Sequence, residues 1–269
     1  MRVTVLGASG MLGHVVARFL AEAGHEVRSP APRFTRQAPE PFLGALLATR
    51  PQAVVNCTGL RAGPEADLHD LHDVHVGLVQ QALDRLGPGV RFIQAGTDGV
   101  FRPDRPDRTT AEEGDAEDPY GRTKRAGERA VREAGGSVIR CSILGPELGP
   151  PRSLLGWFLA QRGPVRGFVN HWWNGITTLQ WARVCQGLLA TASPPPVCQP
   201  GFQPAIPKAE VLRLLGEVWE RPVVILPSEA PTPVLRTLVP DVLCPPLAEQ
   251  LRELRAWHGA RFPASPTPP

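Results

Sequence analysis

The chain opens with Arg2-Val3-Thr4-Val5-Leu6-Gly7-Ala8-Ser9-Gly10-Met11-Leu12-Gly13, in which a short apolar run leads into a glycine-rich turn. The β-branched run before Gly7 predicts a buried strand, and the apolar pattern from Met11 to Ala23 predicts a helix. In a strand–turn–helix, such glycines permit a tight turn and let a diphosphate approach the helix N-terminus. We therefore predict a dinucleotide site formed by Gly7, Ser9, Gly10, Met11, Leu12 and Gly13.

Strand and helix patterns alternate after this turn. Strands are predicted at 26–29, 53–56, 90–95 and 137–140, and helices at 42–49, 68–86 and from Tyr120 onward. This alternation is typical of βαβ units with a parallel sheet, whose crossovers bring all strand carboxyl ends to one ligand-binding edge. The expected fold is α/β, a Rossmann-type doubly wound parallel sheet with a smaller C-terminal lobe.

The alternation weakens beyond about residue 145, which suggests a division of the chain. We expect residues 1–150 to form a dinucleotide-binding Rossmann domain and residues 151–269 to form mainly a substrate-binding lobe. Residues from about 178 to 200 are expected to return to the first domain. The proline-rich end from about residue 263 predicts a disordered tail.

Composition excludes several classes of function. The net charge is only +3 and no basic stripe stands out, so no nucleic-acid partner is expected. The chain has no stretch of about 18 apolar residues, so no membrane span is expected. The five cysteines contain no CxxC pair, which is typical of reduced thiols and favours a cytoplasmic protein.

The only tyrosine of the chain, Tyr120, is followed four residues later by Lys124, one of only two lysines. Residues spaced i and i+4 share one face of a helix, so the phenol and the ammonium should point into the same space. A nearby ammonium favours phenolate, so the pKa of Tyr120 is expected to fall towards neutrality. The pair therefore predicts a proton donor and acceptor. The alternative is a packed tyrosine beside a solvated lysine.

Other polar residues follow strands at the same predicted edge. Thr97 lies just after the predicted strand Val90–Ala95, where its hydroxyl could bind a substrate oxygen. The alternative is that Thr97 and Asp98 only initiate a turn. We assign Thr97, Asp98 and Gly99 to the substrate. Cys57, Thr58 and Gly59 follow the strand Ala53–Asn56 and are assigned to the cofactor.

The segment after the second strand bears on the choice of nicotinamide cofactor. An acidic residue there would bind the ribose 2′-hydroxyl of NAD, but no carboxylate occurs between Arg28 and Arg33. Either arginine could hold a 2′-phosphate by bidentate contacts. NADP is therefore expected in preference to NAD, with ordinary surface arginines as the alternative.

The sequence contains two further clusters, one of histidines and one of tryptophans. His69, His72 and His75 recur at every third residue but drift around a helix, so no metal site is expected. Trp172 and Trp173 could line a sugar or base pocket, and packing in the core of the lobe is an equal alternative.

Together, these motifs resemble an extended short-chain dehydrogenase/reductase, and more closely the dTDP-4-dehydrorhamnose reductase family. The matching blocks are Thr97-Asp98-Gly99-Val100-Phe101, Tyr120-Gly121-Arg122-Thr123-Lys124-Arg125-Ala126-Gly127-Glu128, and the segment from Asn170 to Gln180 that includes Trp172, Trp173 and Asn174. This last segment looks like a subgroup associated with surface-polysaccharide sugars. Two positions depart from the family pattern: Gly99 replaces an aromatic residue or cysteine, and His75 stands where the family has an asparagine that supports a water relay.

The resemblance implies an NAD(P)H-dependent reductase of a nucleotide-linked 4-keto-6-deoxy sugar, with Thr97, Tyr120 and Lys124 as its catalytic residues. It also implies that Tyr120 and Lys124 contact the cofactor and that Tyr120, Trp172, Trp173 and Asn174 contact the substrate. An epimerase or dehydratase with tightly held NAD, and a non-catalytic dinucleotide-binding regulatory subunit, are the alternatives. The sugar, the nucleotide base and the oligomeric state, including a homodimer, remain open.

Overall fold

The computed structural model describes residues 1–60 and 67–262, so the predicted tail from about residue 263 lies outside the described residues. The strands are β1 (Arg2–Leu6), β2 (Glu26–Arg28), β3 (Ala53–Asn56), β4 (Arg91–Ala95), β5 (Ser137–Ile139), β6 (Ile143–Leu144), β7 (Val165–Phe168), β8 (Trp172–Trp173), β9 (Ile176–Thr177), β10 (Val197–Cys198), β11 (Pro200–Gly201), β12 (Ile206–Pro207), β13 (Ile225–Ser228) and β14 (Val242–Leu243). The helices are α1 (Gly13–Glu22), α2 (Glu40–Ala48), α3 (Leu68–His72), α4 (Leu78–Leu86), α5 (Pro119–Glu133), α6 (Leu154–Leu159), α7 (Thr178–Ala190), α8 (Lys208–Val218) and α9 (Leu247–Arg261). Within residues 1–60 and 67–262, no helix is long and apolar enough to cross a membrane.

Six parallel strands form the central sheet, in the order β10-β5-β4-β3-β1-β2. The chain runs outward from β1 to β2 and then returns past β1 to β3. The direction of winding therefore changes between β1 and β3, and ligands bind at such a switch point in this class of sheet. The predicted doubly wound parallel α/β fold is confirmed.

Helices cover both faces of the sheet. On one face, α1 and α7 enclose a core that includes Val16, Leu20 and the fully buried Trp181. On the other face, α2, α4 and α5 enclose a core that includes Leu46 and Val131. The apolar strands are thus buried on both sides, as parallel sheets require.

The C-terminal lobe has its own core around Phe158, Leu215 and Leu251. Short strand pairs surround this core: β7 with β13, β8 with β12, β6 with β9, and β11 with β14. The segment 178–198 instead contributes α7 and β10 to the central sheet and its cover.

One predicted element differs in detail. The helix expected over 68–86 is interrupted by a π-helical turn at Asp73–Gly77, between α3 and α4. This turn brings the backbone against α5, where a Cβ on Gly127 would lie 2.1 Å from the carbonyl oxygen of His75. Periodicity alone does not reveal such a bulge, because the apolar pattern continues through it.

A buried ion pair fixes α5 to the sheet. Arg140, 1% exposed, donates from Nε and Nη2 to Oε2 of Glu128 at 3.1 Å and 2.9 Å. Its Nη1 also donates to Gln199 Oε1 at 3.2 Å, and its guanidinium lies 5.1 Å from the ring centre of Phe101. Such a pair requires close geometry because both ions lose their hydration, so it constrains the position of the helix strongly.

The turn after β1 depends on two glycines. Gly7 adopts a φ of +73°, which favours glycine, and a Cβ on Gly13 would lie 2.0 Å from the carbonyl oxygen of Gly7. Helix α1 can therefore start directly against the turn only when position 13 has no side chain.

We expect Gly13→Ala to lower the free energy of unfolding by about 1–3 kcal/mol, because the start of α1 must move away from Gly7. Gly187→Ala is the matched control: Gly187 is exposed within α7 and a Cβ there meets nothing within 4 Å. The control should stabilise the protein by about 0.5–1 kcal/mol through helix propensity. Urea denaturation followed by circular dichroism measures both, and equal effects of the two substitutions would contradict the assigned contact.

Candidate active site

The dinucleotide turn lies at the switch point between β1 and β3. Ser9 and Gly10 are exposed, and a Cβ on Gly10 would meet only the carbonyl oxygen of Gly7, at 3.3 Å. Within the described residues, the N–H groups of Met11 and Leu12 have no hydrogen-bond acceptor. Open space over Gly10 and free N–H groups at the start of a helix fit the diphosphate of a dinucleotide.

The end of β3 forms the opposite side of this turn. A Cβ on Gly7 would lie 3.1 Å from the backbone nitrogen of Thr58, so the two segments touch. Thr58 donates from its N–H and hydroxyl to Oδ1 of Asn56, at 3.0 Å and 2.6 Å. Cys57 is half-buried and Gly59 is exposed. The predicted cofactor residues of both segments therefore lie at one edge of the sheet.

Helix α5 carries Tyr120 to the same edge. Asp118 caps the helix by accepting from the N–H of Gly121 at 2.9 Å, and Pro119 occupies the first turn. A Cβ on Gly99 would lie 3.0 Å from Cε1 of Tyr120 and 3.2 Å from Oγ1 of Thr97. The phenol and the threonine hydroxyl thus lie side by side around a position without a side chain.

Lys124 lies deeper on the same helix face. It is 6% exposed and donates from Nζ to the carbonyl oxygen of Ala95 at 2.6 Å. Burial lowers its pKa to about 8, although the Glu128 carboxylate opposes that shift.

The prediction that Lys124 lowers the pKa of Tyr120 towards neutrality is wrong. Burial raises the pKa of Tyr120, opposed by a hydrogen bond with Thr97 and reinforced by the carboxylate of Asp98. The loss of hydration at the phenol outweighs the Thr97 hydrogen bond and the charge of Arg236, because an unhydrated phenolate is costly. Tyr120 is therefore a protonated acid rather than a partly ionised phenol.

His75 is not arranged as a proton relay. It is 2% exposed; its Nε2 accepts from the N–H of Leu60 at 3.2 Å, and its Nδ1 lies 2.9 Å from Oγ1 of Thr123. Since Nε2 accepts, the proton is on Nδ1, and burial lowers the pKa of this histidine to about 3. The ring packs edge-on against Tyr120, with centroids 5.5 Å apart. His75 thus holds the tyrosine and the segment after β3 in place as a neutral side chain.

The three histidines at every third residue, His69, His72 and His75, have different surroundings. His69 and His72 are exposed, whereas His75 is buried. In the part of the chain that the structure describes, no group of three or more His, Cys, Asp or Glu side chains could hold a metal ion.

Sequence reasoning missed two cations that the C-terminal lobe brings to this site. Arg236 Nη1 would lie 3.5 Å from a Cβ on Gly99, and both Arg236 and Lys208 favour the ionised form of Asp98. Burial nevertheless raises the pKa of Asp98 and lowers that of Lys208, whose ammonium lies 5.1 Å from the ring centre of Trp173. Lys124 and Lys208 are the only two lysines of the sequence, so the scarcity of lysine that singles out Lys124 also singles out Lys208.

The tryptophan segment is divided between surface and core. Trp172 is 41% exposed, whereas Trp173 is 3% exposed and packs in the core of the lobe. Asn174 donates from Nδ2 to the carbonyl oxygen of Leu238 at 2.7 Å and accepts its N–H at 3.2 Å. The amide of Asn174 is therefore committed to the segment that carries Arg236, and substrate contacts by these three residues stay a prediction.

Arg28 and Arg33, the two candidates for binding the 2′-phosphate of NADP, differ in their surroundings. Arg28 donates from Nε to Glu26 Oε1 at 2.9 Å, in a cleft that Arg2 and Arg50 also line. Arg33 is exposed and has no ion pair or hydrogen bond among residues 1–60 and 67–262. Of the two, Arg33 is the cation free to accept a phosphate.

Comparison with known proteins gives one family and one fold. Residues 3–152 match the model of the NAD dependent epimerase/dehydratase family. Over 144 residues the chain is 34% identical to the probable dTDP-4,6-dihydroxy-2-methyloxan-3-one 4-ketoreductase of Streptomyces antibioticus, in an alignment covering 50% of this chain and 48% of that protein. The match thus spans about half the length of this relative.

Two solved structures illustrate the shared fold. The dTDP-4-dehydrorhamnose reductase of Bacillus anthracis in complex with NADP superposes with a TM-score of 0.85 at 15% identity, covering 95% of this chain and 99% of that one. The UDP-glucuronic acid 4-epimerase of Bacillus cereus in complex with NAD gives a TM-score of 0.73 at 15% identity and covers 99% of both chains. The family resemblance inferred from the sequence motifs is confirmed, and the chain belongs to the NAD dependent epimerase/dehydratase family.

Proposed function

We propose that this protein is an NADPH-dependent reductase of a nucleotide-linked 4-keto-6-deoxy sugar. The observation that carries the proposal is the meeting of Thr97 and Tyr120 around Gly99, with Lys124 beneath them, at the edge that holds the dinucleotide turn. The name of the Streptomyces relative, a 4-ketoreductase of a dTDP-linked compound, supports the same reaction class. A bound NADPH would supply the hydride.

Tyr120 supplies the proton in this reaction. Its raised pKa keeps it protonated at neutral pH, so it can donate to the oxygen of a carbonyl as that oxygen becomes an alkoxide. Thr97 donates a hydrogen bond to the same oxygen. Lys124, anchored on Ala95, stabilises the negative charge left on Tyr120 and holds the ribose hydroxyls of the nicotinamide.

The charges of the C-terminal lobe support an anionic substrate. Within the described residues, Arg236 has no hydrogen-bond or ion-pair partner, and its Nε is buried. An unpaired buried donor is costly, so a ligand that accepts from it gains affinity. Lys208 and Arg236 both act on the carboxylate of Asp98, so these three groups together carry a net positive charge. A net positive charge fits a nucleotide sugar, whose phosphates are negatively charged.

The preference for NADP rests on Arg33. No carboxylate occurs between Arg28 and Arg33 to accept a ribose 2′-hydroxyl. Among residues 1–60 and 67–262, Arg33 has no ion pair or hydrogen bond, whereas Arg28 is paired with Glu26. A guanidinium binds a 2′-phosphate through two parallel hydrogen bonds.

Tyr120→Phe should reduce turnover by about 10²–10⁴-fold, the usual range for loss of a general acid, and leave NADPH affinity nearly unchanged. Lys124→Met should reduce both, because its ammonium serves the phenol and the ribose. Steady-state rates with dTDP-4-keto-6-deoxyglucose and related keto sugars, together with NADPH titrations, measure these effects. Wild-type turnover by Tyr120→Phe would mean that the proton comes from another group.

For the cofactor, we expect NADPH to bind more tightly than NADH and Arg33→Ala to narrow that difference. Arg28→Ala is the comparison variant, since Arg28 is already bonded to Glu26 and should change the ratio little. Calorimetric titration of the wild type and both variants with NADPH and with NADH measures all six affinities. Equal affinity of the wild type for both dinucleotides would contradict the NADP assignment, and a cofactor that survives gel filtration would favour an epimerase with tightly held NAD.

Arg236→Gln should raise the KM for the nucleotide sugar by about tenfold or more, because a charge-assisted hydrogen bond to the substrate is lost. The affinity for NADPH should not change. Arg166→Gln is the matched control, because Arg166 is exposed in β7 of the same lobe. Initial rates at varied sugar concentration test this. An unchanged KM in Arg236→Gln would remove Arg236 from the substrate site.

A further inference from the structure

Two histidines separated by most of the chain meet behind the dinucleotide turn. His14 lies in the first turn of α1 and is 4% exposed, and His258 lies near the end of α9. Their Nε2 atoms are 3.1 Å apart, and Nδ1 of His14 lies 2.8 Å from the carbonyl oxygen of Gly10. The ring of Phe262 stacks on His258 and packs edge-on against His14, with centroid distances of 4.7 Å and 5.0 Å.

These contacts determine where the protons are. A carbonyl oxygen only accepts, so Nδ1 of His14 carries its proton and donates to Gly10. Burial lowers the pKa of both histidines, that of His258 to about 4, so each ring is neutral at pH 7 and has a single N–H. The Nε2 of His14 is therefore an acceptor, and the Nε2–H of His258 donates to it.

The direction of one loop N–H follows from this chain of bonds. The carbonyl of Gly10 accepts both from His14 Nδ1 and from the His14 backbone N–H, at 2.8 Å and 3.2 Å. The peptide between Gly10 and Met11 is planar and trans, so its C=O and N–H point in opposite directions. Holding the carbonyl inward therefore holds the Met11 N–H outward, and this N–H has no acceptor within the described residues.

We propose that His14 and His258 are positioning residues of the dinucleotide site. His258 fixes the tautomer of His14, His14 fixes the carbonyl of Gly10, and the Met11 N–H is thereby presented to the diphosphate of the dinucleotide. Through this bridge, the last helix of the C-terminal lobe acts on cofactor binding by way of His14 and Gly10. The inference rests on the proposed function, since it requires a dinucleotide at this turn.

The test measures NADP⁺ affinity by calorimetry in five proteins: the wild type, His258→Leu, His258→Gln, His14→Phe, and the double variant His14→Phe/His258→Leu. His258→Leu should weaken binding by about three- to tenfold, the effect of one hydrogen bond, and His258→Gln should restore part of it because its amide N–H is a donor. His14→Phe keeps a ring of similar size and should weaken binding at least as much. In the His14→Phe background, His258→Leu should have no further effect, because the bridge is already broken.

Simple packing of α9 predicts a different result, in which the two substitutions reduce affinity independently and the effects multiply. Wild-type affinity in His258→Leu, or independent effects in the double variant, would overturn the inference. Nitrogen NMR of the wild type provides a second measurement that needs no variant to fold: His14 should be the neutral Nδ1–H tautomer, and the Nε2–H tautomer would overturn the bridge. A wild type that binds neither NADP⁺ nor NAD⁺ would instead overturn the proposed function, together with the role assigned here to the bridge.

Discussion

The contact between Gly13 and Gly7 is the constraint on which the rest of this protein depends. Because position 13 has no side chain, α1 starts directly against the turn that ends β1. The same turn touches the end of β3 at Thr58, so the strands on either side of the switch point are fixed relative to one helix N-terminus. Backbone packing that sets the crossover thus also builds the cleft and points free N–H groups into it.

Helix α5 connects the interior of the protein to that cleft. Tyr120, Lys124 and Glu128 succeed each other at four-residue intervals on one face, so each lies about one turn deeper than the last. Tyr120 lies at the cleft, Lys124 donates to Ala95 at the end of β4, and Glu128 is bonded to Arg140 within the core. The charged groups below the tyrosine anchor the helix, and this gives the phenol a fixed position relative to Thr97.

The central-sheet part of the chain and the C-terminal lobe contribute different groups to the site. The central-sheet part supplies backbone N–H groups, the neutral hydroxyls of Thr97 and Tyr120, and the ammonium of Lys124, whereas the C-terminal lobe adds the cations Lys208 and Arg236. Under the proposed function, the first part would deliver hydride and proton while the cations of the lobe would hold the charged substrate. Two hydrogen bonds between the Asn174 amide and the Leu238 backbone hold the segment that carries Arg236 in position.

The sequence by itself determined whatever depends on neighbours along the chain. The strand–turn–helix at Gly7 and the alternation that builds the sheet are local patterns, and each predicted its structure correctly. The four-residue spacing of Tyr120 and Lys124 is also local, and both residues lie on α5. The tertiary structure alone decided the approach of Arg236 to Gly99, the bridge from His258 to His14, and the π-helical turn at His75. It also reversed the expected pKa shift of Tyr120, because that shift depends on burial as well as on the nearest charge. The physical reason is the same throughout: hydration and distance between residues far apart in the chain are set by how the lobes pack, and no local spacing encodes them.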